Sequence, residues 1–302
     1  MAQAQTYPSK PIKLLVPYAA GGTTDQMARL LGLQLTDILG QTVVIENRPG
    51  AAGALAVEQA ARSAPDGYTI VFGNSAPNAI LPAIRKLNYD PIKDLAPISI
   101  AARVPLIWAV PANLPVNNMK EFIDYAKARP GQLNFGSTGP GSVSQLSAEQ
   151  MAAITGIKMV HVPFSGGAPA MLAFRRGDLH GMFVTGADGS VHQKAGAIKY
   201  LGIATPARVA MAPNLPTLAE TIPGFTADLW FGLLAPAGTP PEILTRLQQA
   251  TAQAVKNPAI VKAFADLIIV AASSTQEEMA ATIQRELAHW TKLLKELDLK
   301  LE

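Results

Sequence analysis

Val16-Pro17-Tyr18-Ala19-Ala20-Gly21-Gly22-Thr23-Thr24-Asp25 is the stretch on which the fold turns. An apolar run of Ile12, Leu14, Leu15 and Val16 stops there, and beyond it Met27, Leu30, Leu31, Leu35 and Ile38 recur at helical spacing. The spacing predicts a strand, a glycine turn and a helix. Gly21 and Gly22 lack a Cβ, which permits φ > 0 and lets a ligand approach the backbone N–H groups closely. Thr23 with Gln26 three residues on has capping-box spacing, which would consume some helix donors and leave others pointing forward. The expected product is a small anion cradle; the plainer alternative is a βα turn whose glycines serve geometry alone. Asp25 and Arg29, four apart, read as a surface helix pair.

The alternation continues outward. Residues 42–46 are a β-branched run broken by Asn47-Arg48-Pro49-Gly50, a helix is predicted over 51–62, and a strand over 68–72 follows the turn Pro65-Asp66-Gly67. Strands alternating with helices imply a parallel sheet in an α/β fold, with ligands beyond the carboxyl ends of the strands. That rule places residues 73–78 beside the first turn and makes Ser75 and Asn78 pocket candidates, unless they merely start a helix. From 88 to 115, prolines at 91, 97, 105, 111 and 115 surround the extended pieces 98–101 and 106–110, a passage into a second domain.

The second domain restarts the pattern. A helix over 119–128, a strand over 133–135, a second glycine turn over 136–142 and the Ser142–Gln145 capping spacing come in order. Then follow strand 158–161, loop 163–168, helix 169–176, strand 179–184, loop 185–190 and strand 197–204. A second proline-rich return surrounds 229–234, ahead of helices over 242–256, 259–265 and 276–297 and a late strand over 268–270. Two crossings give a discontinuous domain of residues 7–104 and 227–302, a second domain of 105–226, and a hinge of two strands.

Charged residues are 16% and hydrophobic ones 49% of 302, a globular composition. The net charge of +3 comes without a Lys/Arg run, so no nucleic-acid stripe is supported. Absence of cysteine removes thiol nucleophiles, disulfides and thiolate metal sites together. No apolar stretch approaches a membrane span. The opening Met1-Ala2-Gln3-Ala4-Gln5-Thr6 resembles the tail of a signal-peptide cleavage site, so a mature secreted form with an added start Met is expected; a frayed terminus is the alternative.

Reactive groups are scarce. His161, His180, His192 and His289 form no metal-ligand spacing, and His161 and His180 fall at predicted strands, where structural or solvent-facing roles are expected. No serine completes GxSxG, Ser144 stands where a dinucleotide fingerprint needs its third glycine, and Asp188 lacks the acids of a calcium loop. Asp188 reads as a helix cap, or as the acceptor of a ligand hydroxyl or amine. What remains is a donor set of backbone N–H groups, Ser75, Ser137, Thr138, Ser142 and Ser165, with aromatic walls from Tyr18, Phe72 or Phe164. Such a site holds a carboxylate without transforming it, so no catalytic residue, metal or cofactor is expected.

The segments Pro17 to Asp25 with Ala28-Arg29, Glu46 to Gly53, Pro65-Asp66-Gly67-Tyr68-Thr69, Gly136 to Ser142, Phe164-Ser165-Gly166-Gly167 and Leu215-Pro216-Thr217-Leu218-Ala219-Glu220 occur in order. Together they resemble the Bug-type solute receptors of tripartite tricarboxylate transporters, from about Tyr7 to the C-terminus. The resemblance implies a type II periplasmic binding-protein fold whose two lobes, joined by a two-strand hinge, close on a small carboxylate. It implies ligand contacts from Tyr18, Ala20, Gly21, Gly22 and Thr23 in the first turn, and from Ser137, Thr138, Gly139, Ser142, Phe164, Ser165, Gly166 and Ala168 in the second domain, with bridging waters. Ala20 departs from the family, which often has proline before the glycine pair, and 268–274 is less glycine-rich than usual. The expected function is capture of a di- or aromatic carboxylate in the interdomain cleft by a monomeric periplasmic receptor. Its partners would be integral membrane transporter subunits, with no nucleic acid and no membrane insertion. An enzyme, or a sensory or regulatory receptor on the same fold, is the alternative; no segment supplies a DNA-binding helix-turn-helix, and no cysteine a cofactor anchor.

Overall fold

The computed structural model describes residues 7–164 and 166–296, apart from the side chain of Ala168. The leader-like residues 1–6 and Ser165 lie outside the described residues. β1 (Ile12–Val16), buried except at Lys13, runs through the glycine turn into α1 (Thr23–Leu39), where Met27, Leu31 and Leu35 are buried as the periodicity predicts, Leu30 and Ile38 are half-buried, and Ala28 and Leu39 complete the buried face. Next come β2 (Val43–Asn47), a 3₁₀ turn (Ala51–Gly53), α2 (Ala54–Ala61), β3 (Thr69–Asn74), and a π-helical turn (Ala76–Ile80) that continues into α3 (Leu81–Ile84). β4 (Leu95–Pro105) and β5 (Ile107–Pro111) are the extended pieces between the prolines. Then follow α4 (Met119–Lys127), β6 (Leu133–Ser137), α5 (Val143–Thr155), β7 (Met159–Pro163), α6 (Gly167–Arg176), β8 (Gly181–Val184), α7 (Gly186–Lys194) and β9 (Ile198–Ile203). The chain ends with β10 (Asp228–Pro236), α8 (Pro241–Ala254), α9 (Pro258–Ala265), β11 (Val270–Ala271) and α10 (Gln276–Glu296).

Contacts divide the chain into two units. Among the described residues, one comprises 7–103, 230–264 and 270–292; the other comprises 104–229, 265–269 and 293–296. The chain passes from one to the other within β4 and again within β10.

The first unit holds a six-stranded sheet in the order β11-β4-β10-β3-β1-β2. β1 lies between β2 and β3 and is parallel to both, while β10 runs antiparallel to β3. The second unit holds a five-stranded sheet, β7-β6-β8-β5-β9, in which β6 lies between β7 and β8 and is parallel to both. Each unit thus places the opening strand of a βαβαβ run in the middle, so that three turns leave one edge of the sheet together. Behind these turns lie separate apolar cores, one around Leu15, Val57, Val71 and Trp230, the other around Ile107, Phe174, Met182 and Ile203.

Two expected elements are corrected. The loop over 185–190 is the first part of α7: Thr185 caps it, its side chain accepting from the Asp188 N–H. Composition hid this helix, since Gly186, Gly189 and Ser190 are poor helix formers. The strand expected over 268–270 is instead Val270–Ala271, paired with Arg103 and Ala102 of β4. Ile268 sits in the left-handed region at φ 55, which costs a β-branched residue on the order of 1–2 kcal/mol. Its side chain packs against the second unit's core, and that burial offsets the strain.

Candidate functional site

In the first unit the turns after β2, β1 and β3 are locked by side chains. Asp25, buried in the first turn of α1, accepts from the Gly21 N–H and Arg29 Nε through Oδ2, each at 2.9 Å, and from Asn47 Nδ2 through Oδ1 at 2.9 Å. Asn47 stands opposite Val16 in the parallel register and also donates to the Tyr18 carbonyl at 3.0 Å. The Arg29 hydrogen bond, with smaller help from Gly21 and Asn47, holds the Asp25 carboxyl down at about 2 against the opposing effect of burial. The surface pair read from the sequence is therefore corrected: Arg29 is exposed, but its carboxylate partner is buried and fastens the turn.

The capping box expected at Thr23 is also corrected. Gly22 is the N-cap and no side chain caps it, while Gln26 Nε2 donates to the Gly21 carbonyl at 3.1 Å. Of the two glycines only Gly21 needs its freedom, at φ 86. Gly22 lies at φ −76, and a Cβ there would meet only the Ala19 carbonyl, at 3.7 Å. The first helical bond runs from the Gln26 N–H to the Gly22 carbonyl, which leaves the N–H groups of Thr23, Thr24 and Asp25 outside the helical ladder. Residues 19–22, including Ala20, are exposed, and Thr23 is half-buried.

Asn74 ties the β3 turn to the first. Its Nδ2 donates to the Tyr18 hydroxyl at 3.0 Å, and its Oδ1 accepts from the Ala76 N–H at 3.0 Å. Burial raises the Tyr18 pKa, against the smaller opposing effect of the Asn74 hydrogen bond. Ser75 is buried, and its hydroxyl accepts from the Trp230 N–H at 3.2 Å. Asn78, wholly buried, donates to the Asn74 carbonyl at 2.8 Å, while its Oδ1 has no partner among the described residues. Phe72 is not an exposed wall: it is fully buried and stacks on Phe231 at 5.8 Å.

In the second unit the corresponding turns follow β6, β7 and β8. Ser142 caps α5, accepting from the Gln145 N–H at 3.3 Å, and Gln145 Oε1 accepts from the Gly141 N–H at 2.8 Å, so here the predicted spacing does cap the helix. The Thr138 N–H donates to Ser144 Oγ at 3.1 Å, the Gly139 N–H to Ser137 Oγ at 3.2 Å, and the Ser142 N–H to the Gly139 carbonyl at 3.2 Å. The turn thus spends most of its own amides. Its remaining donors are the Val143 and Ser144 amides of α5 and the hydroxyls of Thr138, Ser142 and Ser144, with Ser142 and Ser144 3.0 Å apart.

The loop after β7 lies alongside. The Phe164 N–H donates to the Ser137 carbonyl at 3.1 Å, and a Cβ on Gly139, which sits at φ 134, would stand 3.3 Å from the Phe164 carbonyl. Phe164 is half-buried and packs against the unit's core. Gly166 is the N-cap of α6 and has no side chain to cap it, and of the first-turn residues Gly167 and Ala168 carry an N–H while Pro169 does not. Asp188 is exposed; its Oδ2 accepts from the Thr185 hydroxyl at 2.8 Å, beside Gly167.

Sequence reasoning named none of Asn47, Asn74, Ser144 and His161 as site candidates: the carboxyl-end rule reached the stretch 73–78 but singled out Ser75 and Asn78, Ser144 was weighed only against a dinucleotide fingerprint, and His161 was read as structural or solvent-facing. A cavity of about 390 Å³ lined by Gln193, Lys199, Tyr200, Asn214, Leu215 and Ile268 includes none of the expected site residues. Among the described residues no three His, Asp or Glu side chains converge on a metal position, and no helix is long and apolar enough to cross a membrane.

Two α/β units, each presenting polar but unreactive donors at helix starts beyond parallel strands, define a solute-binding protein of the periplasmic binding type. The chain belongs to the tripartite tricarboxylate transporter family of receptors, whose model matches residues 27–299. It is 34% identical to Protein BugT of Bordetella pertussis, over 99% of this chain and 93% of that one. The solved structure of Rpa4515 from R. palustris with adipate is 32% identical, with a TM-score of 0.87 over 97% of this chain and 98% of that one. MatC (Rpa3494) from Rhodopseudomonas palustris with bound malate is 31% identical, with a TM-score of 0.82 over 95% and 100% of the two chains. The Bug-type resemblance and the periplasmic binding-protein fold expected from the sequence both hold.

Proposed function

We propose that this protein is a periplasmic receptor that captures a small organic acid, a dicarboxylate or an aromatic carboxylate, and delivers it to integral membrane subunits of a tripartite tricarboxylate transporter. The observation that carries the reading is that α1 at Gly22 and α6 at Gly166, each following a parallel strand of its own unit, have a glycine N-cap and no side-chain cap among the described residues. Unspent first-turn amides favour an anion, each contact contributing on the order of 1 kcal/mol, so a ligand must gather several. Adipate and malate, the acids in the two related structures, are both dicarboxylates, which supports the class and leaves this chain's own ligand to experiment. Tyr18, Gly22 and Thr23 in the first unit and Thr138, Ser142 and Gly166 in the second are the residues assigned to the acid. A receptor of this kind turns nothing over.

Isothermal titration calorimetry with malate, adipate, benzoate and monocarboxylates tests the reading. One or more of the acids should bind with one-to-one stoichiometry and be recovered unchanged after prolonged incubation. Sustained product formation would reject a receptor in favour of an enzyme on the same fold.

A further inference from the structure

His161 stands on β7 beside Phe135 of β6, its ring stacked on the phenyl at 5.0 Å, and its Nε2 is 2.7 Å from the hydroxyl of Ser137. Ser137 closes β6 and is fully buried. Its hydroxyl has two further neighbours at 3.2 Å, the Gly139 N–H and the Gly139 carbonyl. These contacts can all be made at once in one arrangement of the protons. A hydroxyl has one proton and two lone pairs, an amide N–H can only donate, and a carbonyl can only accept. Both Gly139 contacts are satisfied together only if Ser137 donates to the carbonyl and accepts from the N–H. The remaining lone pair must then accept from His161, which requires a proton on Nε2. A proton on Nδ1 alone would draw the serine proton to the imidazole and leave the Gly139 carbonyl without it. That carbonyl also receives the Ser142 N–H, and Ser142 is the cap of α5, so the arrangement at Ser137 reaches the hydroxyls at the turn's surface through one carbonyl.

We propose that His161 is a positioning residue of the second unit's carboxylate half-site, donating from Nε2 to Ser137 and so holding the 138–142 turn in the form that presents its hydroxyls and the α5 amides to an anion. Ser137, in this arrangement, serves the ligand from beneath the turn and not by touching it. Burial lowers the His161 pKa, so the ring is held in its neutral form and adds no charge to the half-site. The inference rests on the carboxylate-receptor reading above.

Two substitutions separate a donor from a packing role. His161→Phe keeps a ring against Phe135 and removes the donor; His161→Gln removes the ring and keeps an N–H donor at about the reach of Nε2. We expect His161→Phe to weaken binding of the acid found in the calorimetric screen by about tenfold, with His161→Gln within about threefold of the parent. Ser137→Ala should match the Phe variant, and it carries the test should that variant fail to fold. Independently of any ligand, ¹⁵N–¹H correlation of the parent's imidazoles, with His161 assigned by its loss in His161→Gln, should place the proton on Nε2. A proton on Nδ1 alone, or a Phe variant that binds as the parent does while the Gln variant is weakened, overturns the proposal. A parent that binds no acid of the screen removes the receptor reading instead, and this inference with it.

Discussion

Asp25 is buried and charged, and three donors hold it so. Because its folded-state pKa of about 2 lies below the ordinary value of 3.8, its contribution is complete above about pH 4 and is lost as the pH falls toward 2. The difference corresponds to about 2 kcal/mol. Asp25→Asn should therefore lose about 1–3 kcal/mol in urea unfolding at pH 7 and flatten the stability profile between pH 4 and pH 2. An unchanged profile would mean that the carboxylate does not hold the turn. The adjacent glycines divide structure from function. Gly21→Ala at φ 86 should cost about 1–2 kcal/mol of stability. At Gly22 an added Cβ makes only an ordinary contact with the Ala19 carbonyl, so Gly22→Val should fold and lose no more than about 1 kcal/mol as a poorer N-cap, yet lose carboxylate affinity in calorimetry because its side chain covers the first-turn amides. Parental affinity in Gly22→Val would take the first turn out of the site.

Helix starts differ in what they leave for a ligand. α5 is capped by its own Ser142, so Ser142→Ala should cost about 1 kcal/mol in thermal or urea unfolding, as the Gln145 N–H loses its acceptor. α1 and α6 have glycine N-caps and no side-chain cap among the described residues, and the proposed site uses their first-turn amides. Amide chemical shifts of a ¹⁵N-labelled sample titrated with the bound acid should accordingly move most at Thr23, Thr24 and Gly167, and least at Gly139 and Gly141, whose N–H groups are already bonded within the turn. Equal changes at all of these would show that the free helix starts are not what the anion selects.

For the molecule as a whole, binding to the folded state alone is a stability term. An acid present at about 100 times its Kd should add about 2.7 kcal/mol, which a thermal-shift measurement reads as a raised Tm. Neutral diols of matching length should leave the Tm unchanged, because the donor set favours negative charge. A Tm that rises equally with diol and diacid would contradict recognition through amides and hydroxyls.

Local chemistry in the sequence determined the alternating elements, the glycine turns and the carboxyl-end location of the donors, because hydrophobic periodicity and turn residues act within a few positions of themselves. The residues joining those turns depended on strand register. Asn47 reaches Asp25 across 22 positions, Asn74 reaches Tyr18 across 56, and His161 reaches Ser137 across 24. No periodicity encodes such pairs; they arise only once parallel strands bring distant residues side by side. Tertiary packing likewise decided that Asp25 is buried and that Ile268 accepts a strained backbone, since both depend on what surrounds a residue and not on what adjoins it in the chain.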